Sequence, residues 1–224
     1  MPYCVRPAPI NIEEEEYIMS NAIRIHRHPL SGHSHRVELL ASLAGIKHEL
    51  VDVDLLAGAH KAAPFLDLNP AGQVPVIEDG ETVVSDSNAI LVYLARKYAP
   101  EWLPLDPAVE AEIQKFLSFA AGEIASGPAA ARLITVFGAQ LNEERALTVA
   151  KTAFERLEHH LEGRQWLVGD APSIADVAIY SYTAHAPEGN VSLTPYPNIR
   201  ALLARIEALP GFVGMQATKV GLAA

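Results

Sequence analysis

Three stretches of this chain carry residue types whose spacing can do chemistry. In Asn69-Pro70-Ala71-Gly72-Gln73-Val74-Pro75, a proline directly follows Val74 at the mouth of an extended run. A proline there cannot donate to a sheet. If the bond before it is cis, the turn leaves the amide and carbonyl of Val74 free to pair with a peptide-like ligand in strand fashion. If it is trans, Pro75 is an ordinary edge-strand proline. The second stretch, Ser85-Asp86-Ser87-Asn88, precedes an apolar run containing Ala89, Ile90, Val92, Tyr93 and Leu94. Asp or Ser is expected there simply as an N-cap. The same acid, hydroxyl and helix-start amides also suit a ligand with an α-amino-acid head. Its carboxylate takes the amides and Ser87, and its ammonium is drawn to Asp86. The third stretch is the loop His28 to Ser34, in which Ser31 and Ser34 bracket Gly32 and His33. Ser34 reads as the N-cap of a helix starting at His35, and Ser31 as a polar loop residue or a hydroxyl donor.

The elements that must position these residues follow from periodicity. Ile23 and Ile25 alternate with polar residues as in a strand. Val37, Leu40, Leu43 and Ala44 recur at helical spacing from His35 to Ala44, and Gly45 stops that helix. Glu49 to Val53 reads as a second strand, and a short helix is expected around Pro64 to Leu68. Val74 to Glu78 and Thr82 to Val84 are closely spaced strands joined by Asp79-Gly80, a strong hairpin signal. Ser87 to Tyr98 is helical. The order β-α-β-α-β-β-α predicts a small mixed sheet with helices on both faces.

Pro100, Pro104 and Pro107 mark 99–107 as a linker, and the rest reads as helical. The expected helices are Val109 to Ala125, ended by Gly127-Pro128, then Ala129 to Phe137, Glu143 to Leu161, Ile174 to His185 and Ile199 to Leu209. The division is thus α/β plus all-α, with residues 22–98 and 108–224 as the two domains. Residues 1–21, with three prolines and the run Glu13 to Glu16, read as a flexible tail, and Met19 is an alternative start. In Ser173-Ile174-Ala175-Asp176 the hydroxyl and carboxylate can cap one another's amides. Ser173 and Asp176 are therefore read as structural.

Composition narrows the function classes. The 224 residues hold 17 basic and 27 acidic side chains, a net charge of −10. That argues against nucleic acid or an anionic membrane surface as the main partner. The single cysteine, Cys4, permits no internal disulfide and fits a reducing compartment, so the cytoplasm is the expected location. No apolar run is long enough to span a bilayer. His26, His28, His33 and His35 lie close in sequence but lack a Cys or acidic companion at fitting spacing, and no metal is expected.

The spacing of His60-Lys61, Gln73-Val74 and Asp86-Ser87 strongly resembles the glutathione-site pattern of the cytosolic glutathione S-transferases, especially phi-type and related bacterial members. Without it, His60-Lys61 is a solvated loop pair and Gln73 a turn residue. The resemblance runs from Ile23 nearly to the C-terminus and includes Trp166-Leu167-Val168-Gly169-Asp170. It implies a thioredoxin-like N-terminal domain with a mixed four-stranded sheet, followed by an all-helical C-terminal domain. By the same resemblance His60 and Lys61 bind the glycyl carboxylate of glutathione, Val74 pairs with its cysteinyl backbone, and Gln73, Asp86 and Ser87 hold the γ-glutamyl end. Pro75 would be the cis-proline, and Asp86 stands one methylene short of the family's usual Glu.

Counting back from Gly45, Ser31 falls where theta-, delta- and zeta-like members keep the serine that hydrogen-bonds the sulfur, with His33 a second candidate donor. A hydroxyl near a helix start favours thiolate, the nucleophile, over thiol. The implied activity is addition of glutathione, a co-substrate, to a small hydrophobic electrophile, as in detoxification, by a homodimer. Alternatives are a zeta-like isomerase, whose Ser-Ser-Cys run is replaced here by Ser31-Gly32-His33, and a non-catalytic glutathione-binding module. Phe116, Phe119 and Phe137 are candidates for the electrophile pocket, while core packing on an amphipathic helix explains them at least as well.

Overall fold

The computed structural model describes residues 22–224. The readings placed on 1–21, with Cys4 and Met19 among them, lie outside the described residues. Four strands, β1 (Ile23–Arg27), β2 (His48–Asp52), β3 (Val76–Asp79) and β4 (Thr82–Ser85), form one sheet in the order β2-β1-β3-β4. β1 and β2 run parallel, with Ile25 opposite Leu50. β3 is antiparallel to β1, with Ile77 opposite Ile25, and β4 is antiparallel to β3. A parallel pair needs a crossover, and α1 (Gly32–Leu43) supplies it.

Alternation along β1 decides which helix covers which face. Ile23 and Ile25 join Ile77 under Val37 and Leu40 of α1 and Ile90, Leu91 and Leu94 of α3 (Ser87–Tyr98). On the opposite face Val53 and Val76 pack with Phe65 of α2 (Ala63–Leu68), and the His26 ring meets Phe65 edge-on at 6.2 Å. The sheet is therefore covered on both sides. β3 begins at Val76, two residues later than periodicity predicts, directly after the cis Val74–Pro75 bond.

Beyond Tyr98 every element among the described residues is helical. The 99–107 stretch is packed rather than loose. Trp102 and Leu103 are buried, and Arg96 Nη1 donates to the Leu103 carbonyl at 2.7 Å. α4 (Pro107–Phe119) starts with Asp106 accepting the Ala108 and Val109 amides. Gly127-Pro128 does not end a helix, contrary to expectation. The chain continues through a wide-turn π segment, Ala120–Ala129, straight into α5 (Ala130–Phe137). Such widening accommodates a residue that lacks its N–H. Gly127 is needed there because a Cβ would lie 2.7 Å from the Ala150 amide on α6 (Glu143–His160).

α7 (Ile174–Ala184) is the post around which the molecule is built. Every residue from Ile174 to Thr183 is buried, and α7 touches α1, α3 and α4 as well as α8 (Pro197–Glu207). Its start carries the reciprocal capping box. The Asp176 carboxylate accepts the Ser173 amide at 2.9 Å and the Leu167 amide at 3.0 Å, the latter tying down the preceding loop. No helix among the described residues is long and apolar enough to cross a membrane.

Candidate active site

A cavity of about 640 Å³ opens between the sheet unit and helices α5 and α7. Ser31, His60, Lys61, Gln73, Val74, Asp86 and Ser87 all line it, as does Pro75. Residues scattered from position 31 to position 87 thus meet on one surface. The facing wall is Ala125, Ala129, Arg132, Leu133, Phe137 and Tyr182.

Ser31 is the N-cap of α1. Its backbone is extended and its Oγ accepts the Ser34 amide at 3.2 Å. This corrects the assignment of the cap to Ser34 and of the helix start to His35. Ser34 is fully buried, and its hydroxyl accepts the His28 amide at 3.3 Å, so it holds the loop from inside. A hydroxyl in the cap position keeps its own proton free to donate outward, beside the positive end of the helix.

Tyr182 of α7 forms the floor beneath this serine. The Ser31 hydroxyl, the His33 amide and the Arg36 and Arg132 guanidinium groups all lie near enough to favour its charged form. Burial outweighs them and raises its pKa, keeping it a neutral phenol. Periodicity alone makes Tyr182 one more apolar residue on a buried helix, so no local signal marks it. His33 stacks edge-on against this ring at 4.9 Å, and its Nδ1 is 3.3 Å from Ser87 Oγ. Burial, reinforced by the Arg36 charge, lowers its pKa to about 3, so the imidazole stays neutral.

The far end of the cavity is shaped by 60–75. Lys61 Nζ donates to the carbonyls of Ala71 and Gly72 at 3.2 and 3.0 Å. Gly72 has φ of +58°, and a Cβ there would lie 2.7 Å from Lys61 Nζ. Asn69 staples the same loop, donating to the Gln73 carbonyl at 2.8 Å and accepting the Ala71 amide at 3.1 Å. His60 Nδ1 is buried with no protein partner among the described residues, and a ligand carboxylate would satisfy it as a donor. Val74 stands outside the ladder, in front of the cis bond.

At the start of α3, Asp86 adopts φ of 71°, unusual for a non-glycine residue. Its Oδ1 accepts the Asn88 and Ala89 amides, each at 2.9 Å. Beneath it Arg36 is wholly buried and donates to Ser87 Oγ and Asn88 Oδ1, while its Nε and Nη2 have no partner among the described residues. Burial lowers its pKa to about 10, with Tyr182 and Asp86 opposing, so it remains a cation. A buried cation beside a helix N-terminus favours an anionic group at Ser87.

The other candidates separate. Phe137 lines the cavity, but Phe116 and Phe119 are buried and border a different depression with Arg156 and His160. The amphipathic face of α4 that carries them turns away from Ser31. The four neighbouring histidines also diverge: His26 goes to Glu78, His28 accepts the Leu30 amide, His33 goes to Ser87 and His35 to Ser181 and the Val213 carbonyl.

Comparison with known proteins agrees with this geometry. The family model described as Glutathione S-transferase, N-terminal domain, matches residues 30–97, and Glutathione S-transferase, C-terminal domain, matches 112–210. Glutathione S-transferase 3 of Zea mays is 32% identical over 203 residues, covering 85% of this chain and 91% of its own. Maleylacetoacetate isomerase of Rattus norvegicus is 31% identical, covering 80% and 85%. A glutathione S-transferase structure from Xanthobacter autotrophicus matches with a TM-score of 0.80 at 32% identity, covering 87% of this chain and 97% of that one. The two family models, spanning most of the chain, and relatives above 30% identity over most of both lengths place this chain in the glutathione S-transferase family, as an enzyme of the glutathione S-transferase type.

Proposed function

We propose that the enzyme conjugates glutathione to a small hydrophobic electrophile, with Ser31 as the residue that activates the thiol. The observation that carries this reading is Ser31 itself: it lines the cavity and caps α1, with Ser34 N–H bonded to its Oγ. Accepting the Ser34 amide uses an Oγ lone pair and leaves the hydroxyl proton able to donate to sulfur. A sulfur held there gains a hydrogen bond and the helix-start field only as thiolate, which lowers its pKa. The thiol proton leaves to solvent. The sulfur lone pair then forms the carbon–sulfur bond while the leaving group departs with its electron pair, or while a strained or activated bond opens and is protonated by water.

The remaining roles follow the resemblance and suit the groups present. His60 and Lys61 hold the glycyl carboxylate, Val74 pairs with the cysteinyl backbone, and Gln73, Asp86 and Ser87 hold the γ-glutamyl end. Leu133, Phe137 and the exposed Leu56 border the same cavity on its outer side, which suits an apolar electrophile. A homodimer is proposed with the family, and sedimentation of the purified protein tests it.

The test is turnover with a panel of halo-aromatic, epoxide and isothiocyanate electrophiles, read against pH. Ser31→Ala should lower kcat at neutral pH by about 10²-fold and move the profile to higher pH. Full activity at every pH would remove Ser31 from the mechanism. The similarity to the rat isomerase favours a second reading, glutathione-dependent isomerisation, in which product analysis would find the substrate's geometric isomer and no conjugate.

A further inference from the structure

Arg132 belongs to no part of the glutathione cradle, yet it is 1% exposed and lies on the cavity wall. Its Nη1 donates to the Leu30 carbonyl at 2.7 Å, one residue before Ser31. Its Nε donates at 2.7 Å to Oε2 of Glu188, in the turn after α7. Glu188 is equally buried and is held from the other side by the C-terminal segment. Thr218 donates to it through its amide at 3.1 Å and its hydroxyl at 2.6 Å, and His185 Nδ1 lies 2.6 Å away. Burial opposes ionisation of Glu188, but these hydrogen bonds and the Arg132 charge hold its pKa at about 2. The approach is tight: a Cβ on Gly189 would lie 2.5 Å from the Arg132 amide.

We propose that Arg132 is a positioning residue for the reaction, transmitting the seating of the C-terminal segment through Glu188 and Leu30 to the Ser31 hydroxyl. This rests on Ser31 being the thiol activator. Two features favour coupling over simple packing. The contact falls on a carbonyl of the short turn His28 to Ser31, which is closed by Ser31 N–H on the His28 carbonyl at 2.9 Å. A buried, hydrogen-bonded ion pair also fixes the position of both partners, because either one left alone is strongly disfavoured. A shift of about 1 Å at a catalytic group can cost on the order of a hundredfold in rate.

The experiment measures the apparent pKa of the bound glutathione thiol and the split between kcat and KM in the full-length enzyme. The charged and titratable groups lining the cavity are His28, His33, His60, Lys61, Asp86, Arg132 and Tyr182, with Arg36 buried beneath, and Thr218→Val changes the charge of none of them. Thr218→Val, which changes no charge, should raise the thiol pKa by roughly half a unit to one unit and lower kcat near pH 6.5 by about three- to tenfold. Glu188→Gln, which leaves the Arg132 cation unopposed and by charge alone favours thiolate, is read by kcat, which should fall by a similar factor. The KM for glutathione should stay within about twofold. Thr218→Ser, which restores the hydroxyl donor, should return wild-type values. If Glu188→Gln does not fold, Thr218→Val decides. A lowered melting temperature with an unmoved thiol pKa and kcat would overturn the proposal and leave a purely structural ion pair. Ser31→Ala run alongside separates the failures. If it leaves the thiol pKa unmoved, both readings fall; if it moves the pKa and Thr218→Val does not, only the coupling falls.

Discussion

Gly32 and Tyr182 are in direct contact across the two halves of the molecule: a methyl group built on Gly32 would stand 2.8 Å from both Cε1 and Cζ of the Tyr182 ring. Gly32 lies between Ser31 and His33, and the ring is fixed on the buried α7. Neither side can retreat without moving the helix start that presents the Ser31 hydroxyl. Gly32→Ala is therefore expected to destabilise the fold by about 1–3 kcal/mol through overpacking and to lower kcat by about tenfold or more. Tyr182→Ala should cost less stability in the Gly32→Ala background than in the wild type, making the pair less damaging than the sum of the single changes. Thermal melts and steady-state kinetics on the three variants check this.

Asp86 caps α3, and one substitution can separate that cap from the glutathione contact proposed for it. Asn keeps a side-chain oxygen for the Asn88 and Ala89 amides and tolerates the positive φ, but removes the charge. Asp86→Asn should leave the melting temperature within about 1 kcal/mol of wild type while raising the KM for glutathione about tenfold at little cost to kcat. Equal loss in both parameters would assign Asp86 to the chemical step instead.

Phe137 is 41% exposed on the outer wall of the cavity, away from the cradle. Phe137→Ala should raise the KM for bulky apolar electrophiles by about three- to tenfold and leave glutathione affinity unchanged by calorimetry.

Burial sets the acid response. His33 and His35 are held near 3 and near 4, chiefly by desolvation, whereas an unfolded chain protonates both near 6.5. The unfolded state therefore binds more protons below that pH. Their contribution is full above about 6.5 and is lost as pH falls towards 4. Asp176 runs the other way. Burial raises it to about 6 against the hydrogen bonds from Leu167 and Ser173, so its contribution is full below about 4 and is lost as pH rises to 6. Urea unfolding at pH 5 and pH 7 should find the wild type less stable at pH 5. His35→Gln should shrink the difference by on the order of 2 kcal/mol, and Asp176→Asn should enlarge it.

Much of the fold was legible because its signals are local. The alternation at Ile23 and Ile25, the Asp79-Gly80 hairpin and the Ser173–Asp176 box each act within a few residues. The misreadings share a cause as well. Gly127-Pro128 reads as a stop until α6 is known to press on Gly127. Ser34 reads as a cap until it is known to be buried against the His28 amide. Phe116 and Phe119 read equally as pocket or core residues until the face of α4 they occupy is known.

The amino-acid sequence by itself determined the family and pointed to the proposed cradle, since His60-Lys61, Gln73-Val74-Pro75 and Asp86-Ser87 carry their spacing along a single short unit. Tertiary structure alone decided what surrounds the Ser31 hydroxyl. Tyr182 and Arg132 come from 151 and 101 positions further along the chain, on helices whose periodicity records burial and nothing else. A side chain's distance to a loop that far away is set by how helices pack, and packing leaves no mark on the local pattern.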